Sequence, residues 1–353
     1  MKHSARPLNG YFFEHYRLGQ KFRHATPRTI TQGDVALYQA LTGSRLPLHC
    51  SEPFAQSLGY PSMPVDDLLV FHIAFGKTVP DISYNAVANL GYADGRFLKP
   101  VFIGDTLRTE TEIIGLRENS NGKTGVVYVR SNCLNQRDEM VLTWIRWVMV
   151  NREKSSDSPV SALLGVKDLP SYVEPSCLAI PSFIQADAIN LRDTGGDRYW
   201  EDYQPFDEIR TSSGMTIDES DHTLATKLYQ NTARVHFDLH HMKGSRFGQR
   251  LVYGGHVISL CRALVYEGLE NALSIVAINS GKHANPTFAG DTLYAAAIVG
   301  LKWELSKTLG AMQLALIGTK NAEISTRELE RVVPPENVVL TFGYTVLMPR
   351  RPK

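Results

Sequence analysis

At about 150 residues per domain, a chain of 353 residues holds roughly two domains, each able to bury its own core, which excludes a disulfide-stapled miniprotein. With 37 Lys and Arg against 36 Asp and Glu the formal charge is +1, which argues against a general nucleic-acid binder or a binder of anionic membranes. Hydrophobic residues at 43% and charged residues at 21% exclude a disordered or fibrous chain.

The opening residues contain no long apolar segment and no small-residue cleavage site. No apolar run long enough to span a bilayer follows, so the expectation is a soluble, cytoplasmic protein. Val65 to Val79 begins with Asp66-Asp67, which suit the positive end of a helix dipole, and continues apolar nearly all round, which predicts a buried helix. Thr106 to Leu116, Thr124 to Asn132 and Met140 to Val150 are β-rich, with Asn119-Ser120-Asn121-Gly122 as a turn between the first two. Residues 151–195 are rich in polar residues and carry Pro159, Pro170, Pro175 and Pro181, the composition of a linker. A second buried helix is expected from Gly255 to Glu267. Cys50, Cys133, Cys177 and Cys261 form no CxxC pair, so neither a zinc ribbon nor a redox motif is available.

The chain also repeats. At an offset of 187 residues, Phe13-Glu14-His15-Tyr16 matches Trp200-Glu201-Asp202-Tyr203, Thr29-Ile30 matches Thr216-Ile217, and His49 falls on His236. Gly104-Asp105-Thr106-Leu107 returns as Gly290-Asp291-Thr292-Leu293, one residue out of step. Two copies of one α+β unit follow, each a long buried helix wrapped by an antiparallel sheet. The units are placed at residues 1–150 and 196–353, with residues 151–195 between them.

Leu41-Thr42-Gly43-Ser44-Arg45-Leu46-Pro47-Leu48-His49 and the two Pro-x-Phe-x-Gly-Asp-Thr-Leu runs resemble the MaoC-like enoyl-CoA hydratases. The resemblance is closest to the mesaconyl-CoA hydratases within that family. It rests on Gly76-Lys77-Thr78-Val79-Pro80-Asp81-Ile82-Ser83, on Asn119 to Arg130, on Gln230-Asn231-Thr232-Ala233-x-Val235-His236-Phe237 and on Tyr253-Gly254-Gly255-His256. The resemblance implies a double hot-dog fold. It also implies a hydro-lyase that reversibly adds water to mesaconyl-C1-CoA, the 2-methylfumaryl thioester, in the ethylmalonyl-CoA pathway or a related one. No cofactor is then expected beyond the CoA of the substrate.

Hydrating such a thioester needs a base for water, an acid for the α-carbon, and donors for the enolate oxygen. His236 is the candidate base and acid, Asn231 the residue that positions water or thioester, and the backbone N–H of Gly255 or Gly254 the oxyanion donor at the helix start. The wider family carries an Asp five residues before the His; here that place is Ser44 in the first half and Asn231 in the second. Because Ser44 offers no amide and Asp66-Asp67 would oppose an enolate, the first half is expected to hold a degenerate site. Arg234, Arg250, Arg262 and Lys282 are candidates for the distal carboxylate, and Arg96 and Lys99 for CoA phosphates.

His236, His240 and His241 could suggest a metal, but the segment Val235 to Asp238 reads as irregular and no HExxH accompanies it, so no metal is expected. A hot-dog thioesterase using Asp66 or Asp67, or an acyl-CoA binding module without catalysis, are the competing readings. An acyl-CoA thioester is the expected partner, with no nucleic acid and no membrane, and a homodimer is left open.

Overall fold

The computed structural model describes residues 7–153, 168–211, 213–324 and 335–352. In the first half, the helix Gln32–Thr42 starts in a reciprocal cap. The Thr31 hydroxyl accepts from the Asp34 N–H, and the Asp34 carboxylate reaches back to the Thr31 N–H. It stops at Gly43 in the left-handed region. The first central helix, Asp67–Thr78, is capped by Asp66, whose carboxylate accepts the Leu68 N–H at 2.9 Å. It is buried from Leu68 to Thr78 and runs on into a wider turn, Val79–Ser83. Its counterpart, Gly254–Leu264, is the second central helix and is buried from Gly255 to Ala263. Both lie where the apolar runs placed them, to within a few residues at each end.

The described strands form one 12-stranded sheet. Its first half runs in the order Thr106–Glu118, Thr124–Leu134, Met140–Asn151, Ala86–Phe97. Its second half mirrors this order as Ile275–His283, Val338–Pro349, Leu309–Lys320, Thr292–Glu304. The strands Ala86–Phe97 and Ile275–His283 pair antiparallel at the junction, with Tyr92 opposite Gly281. A Cβ on Gly281 would lie 2.5 Å from the Tyr92 ring, so only glycine lets the two half-sheets close there.

Each central helix is wrapped by its half-sheet, which is the double hot-dog arrangement. On the strand Met140–Asn151, Trp144 packs edge-on to Phe71 and Arg146 lies over Phe75, so side chains two apart on the strand meet side chains four apart on the helix. The two helices meet at one repeat position: His72 and Ser259 are 187 residues apart, and His72 Nε2 and Ser259 Oγ are 2.8 Å apart. One hydrophobic core runs through both halves.

Part of the expected linker, residues 154–167, lies outside the described residues. Residues 168–195 are not a free tether. Ile180, Ile184 and Ile189 pack on a cluster holding Leu58, Leu273 and Leu347, and the Val173 N–H donates to Asn279 Oδ1. The apolar residues between the prolines bury surface on both halves, which offsets the loss of chain freedom. No helix among the described residues is long and apolar enough to cross a membrane.

Candidate functional site

The segment carrying His236 leaves the helix Glu219–Leu228 through Gln230 at positive φ and reaches Asn231. Asn231 is buried, and its Oδ1 accepts the Ala233 N–H at 3.0 Å, which leaves the Nδ2 hydrogens for the space beyond. The segment is not irregular as its sequence suggests. A helical turn spans Arg234–Phe237 and a second spans Leu239–Met242, the latter capped by Asp238, whose side chain accepts the His241 N–H. Asp238 holds the second of two turns that no hydrophobic period announces.

His236 Nδ1 donates to Leu251 O at 2.9 Å, so Nε2 is the unprotonated, accepting nitrogen. Burial pulls His236 down to about 4 rather than leaving it near the ordinary histidine value. The ring is neutral at pH 7, and it stands edge-on to Tyr253 with centroids 5.7 Å apart.

The second central helix begins beside it. The His256 and Val257 N–H groups bond back to Tyr253 O, while the Gly254 and Gly255 N–H groups ahead of them take no acceptor among the described residues. Of the two, Gly254 lines the cavity described next. A Cβ on Gly255 would strike the Tyr253 ring, and one on Gly254 would lie 2.4 Å from His283 Cε1. A bare backbone at 254 is thus what lets His283 and the helix start share the wall. His283 Nε2 lies 3.2 Å from Tyr92 OH, and burial lowers this histidine to about 4 as well.

These groups surround one cavity of about 440 Å³. Asn231, His236 and Gly254 line it from the second half, and Phe75, Tyr92 and Arg146 from the first. Exposed His241 and Arg246 also belong to the lining and mark its mouth, whereas Arg146 and Tyr92 are buried. Asn89 joins the wall with both side-chain polar atoms buried and unpartnered. The first half therefore supplies one wall of this cavity. Among the described residues no three His, Cys, Asp or Glu side chains stand together as a metal site.

The basic candidates divide. Arg234 lines the cavity, lies over the Tyr84 ring and donates to its hydroxyl. Arg250 does not line it, being held by Glu219 and the Thr223 hydroxyl. Arg262 is buried on the second central helix close enough to Asp67 to favour its carboxylate, away from the cavity. Lys282 sits on the outward side of its strand. Lys99 pairs with Glu139 and Arg96 with Asp94. For Lys282 proximity along the chain is no guide, because neighbouring strand residues face opposite ways.

Arg146, His283 and Asn89 escaped the sequence reading. Arg146 had a signal: it occupies the same face of its strand as Leu142, Trp144, Val148 and Val150, all buried. The thioesterase candidates Asp66 and Asp67 do not line the cavity.

A family model described as "MaoC like domain" matches residues 14–133. The chain is 54% identical to beta-methylmalyl-CoA dehydratase of Chloroflexus aurantiacus, over 99% of both chains. It is 49% identical to mesaconyl-CoA hydratase of Cereibacter sphaeroides, over 97% of this chain and 98% of the relative. The crystal structure of a MaoC domain protein from Chloroflexus aurantiacus superposes with a TM-score of 0.94 at 53% identity, covering 99% of this chain and 100% of that one. A conserved Mycobacterium tuberculosis protein with a double hotdog fold superposes at 0.78 with 24% identity, over 97% and 99% of the two chains.

Proposed function

The chain belongs to the MaoC-like hydratase and dehydratase family, and on that footing we propose that it reversibly hydrates mesaconyl-C1-CoA (2-methylfumaryl-CoA) to β-methylmalyl-CoA. It is a carbon–oxygen lyase. The observation that carries the reading at the level of chemistry is the convergence on one cavity of His236, with Nδ1 tied to Leu251 O, buried Asn231, and the free N–H of Gly254.

His236 Nε2 takes a proton from a water that the Asn231 amide holds by hydrogen bond. The hydroxyl adds to C3 of the enoyl thioester, and the electron pair moves through C2 to the thioester oxygen. The enolate oxygen is met by the Gly254 N–H, at a helix start whose dipole favours negative charge. The imidazolium then returns the proton to C2. A histidine held near pKa 4 is a weak base, but its conjugate acid is strong, which favours the return of the proton to carbon. Dehydration runs the same steps backwards. The cations at the mouth, Arg234 and Arg246, have no carboxylate within ion-pair distance among the described residues and suit the CoA phosphates.

The test is ultraviolet absorbance of mesaconyl-C1-CoA with the pure protein, with free thiol titrated in parallel. Loss of the conjugated enoyl-thioester band without thiol release is expected. Thiol release would replace the reading with thioester hydrolysis, and no change in either signal would leave a binding module.

A further inference from the structure

Arg146 lines the cavity from the first half of the sheet, with its side chain fully buried over the Phe75 ring, Cζ 4.2 Å from the centroid. Its Nη2 donates to the Thr78 hydroxyl at 2.8 Å and the Ser83 hydroxyl at 3.3 Å. Nε and Nη1 have no partner. The ionisable neighbours acting on it are the hydroxyls of Tyr92, Tyr253 and Tyr16, and among the described residues no carboxylate lies within ion-pair distance. Arg152 is paired with Glu14 and Glu118 and Arg28 with Asp34; buried Arg262 has no carboxylate within ion-pair distance either but lies away from the cavity, and Arg234, which lines it, is only half-buried.

A buried guanidinium without a counter-charge is costly to the folded protein unless an anion arrives to complete it. Arg146 lines the same cavity as His236. Tyr253, whose hydroxyl is also buried and unpartnered, lines the same cavity.

We propose that Arg146 reads the distal carboxylate of the substrate, so that the first repeat selects a dicarboxylic acyl group while the second performs the hydration. This rests on the hydration reading above. In mesaconyl-C1-CoA the distal carboxylate is bonded to C3, the carbon that receives the hydroxyl. Unpaired, its negative charge repels the incoming hydroxide-like oxygen; paired with Arg146 it does not. Arg146 therefore contributes to turnover as well as to binding. A substrate whose carboxylate is masked leaves the buried guanidinium unpaired and is rejected.

The experiment compares kcat/KM for mesaconyl-C1-CoA and for its 4-methyl ester in the wild type, Arg146→Gln and Arg234→Gln, with folding of each checked by thermal melt. The wild type is expected to favour the acid by at least about a hundredfold. Arg146→Gln is expected to lose about a hundredfold or more on the acid and to stay within about tenfold on the ester, so that the preference collapses. Arg234→Gln is expected to keep the acid-to-ester ratio within about threefold. A wild type that hydrates both equally well overturns the assignment without any variant. An Arg146→Gln protein that loses both substrates equally overturns it too, as does a ratio that collapses in Arg234→Gln instead. If Arg146→Gln does not fold, Arg146→Lys is read by the same ratio, with an intermediate preference expected and an unchanged one overturning the assignment. A wild type that turns over neither substrate defeats the hydration reading itself, an outcome distinct from an active enzyme indifferent to the carboxylate.

Discussion

His49 and His236 stand at the same repeat position, and each donates its Nδ1 hydrogen to a backbone carbonyl 15 residues on, Pro64 O at 3.1 Å and Leu251 O at 2.9 Å. What faces the other ring nitrogen differs. At His236 the helix opens with Gly254 and a cavity; at His49 the matching residue is Asp67, whose carboxylate lies 3.7 Å from His49 Nε2 and accepts the Ile275 N–H at 2.7 Å. Burial pushes Asp67 up to about 7. One scaffold thus yields an open site where the helix begins with glycine and a closed polar cluster where it begins with aspartate. The closed repeat supplies Arg146 and Tyr92 to the cavity that His236 of the other lines.

The contrast is tested most severely by the two histidines themselves. His236→Gln is expected to reduce kcat about a thousandfold, the span of general acid–base catalysis, whereas His49→Gln stays within about threefold, both by initial absorbance rates. Writing the first repeat's residue into the second comes next. Gly254→Asp places a side chain against the His283 ring and a carboxylate where the enolate forms, with an expected loss of more than about a hundredfold in kcat. A Gly254→Asp enzyme with near-normal kcat would remove Gly254 from the oxyanion role.

A smaller effect lies in pH. His236 must be neutral to act as a base, and its value is lowered to about 4, so kcat/KM should stay level from pH 8 to below pH 6. A rate halved near pH 6.5 would mean an ordinary histidine. Buried His72 and His256 and half-buried His236 and His283 all hold their protons less firmly than in the unfolded chain. Below about pH 6.5 the unfolded chain therefore binds protons first and stability declines, so the profile is read alongside a melt at each pH.

The smallest effect concerns Asp67 alone. Its folded value of about 7 lies above the ordinary 3.8, so stability falls as pH rises from about 4 to about 7, where the unfolded chain is ionised and the folded one is still protonated. Asp67→Asn removes that dependence. Its melting temperature relative to the wild type should rise by a few degrees (~2–4 °C per kcal/mol) between pH 5 and pH 8, and a constant difference would count against it.

The amino-acid sequence by itself determined the duplication, the two buried helices and the α+β class, and it singled out His236 and Asn231 as candidates, because each is a local pattern: a repeat offset, an apolar run, a short string. It also showed Asp66-Asp67 against Tyr253-Gly254 at the helix starts. Only the tertiary structure decided that the cavity is lined by both halves, that Arg146 and His283 line it, and that Arg250, Arg262 and Lys282 do not. Alternation puts Arg146 on one face with Leu142, Trp144, Val148 and Val150, but the other face of the strand Met140–Asn151 is rich in apolar residues too, so the pattern alone does not say which of the two faces packs on the helix. Whether a charge meets a partner or a cavity depends on chain segments far apart in sequence: Arg146 is 90 residues from His236, and they line one cavity only because the two half-sheets pair edge to edge.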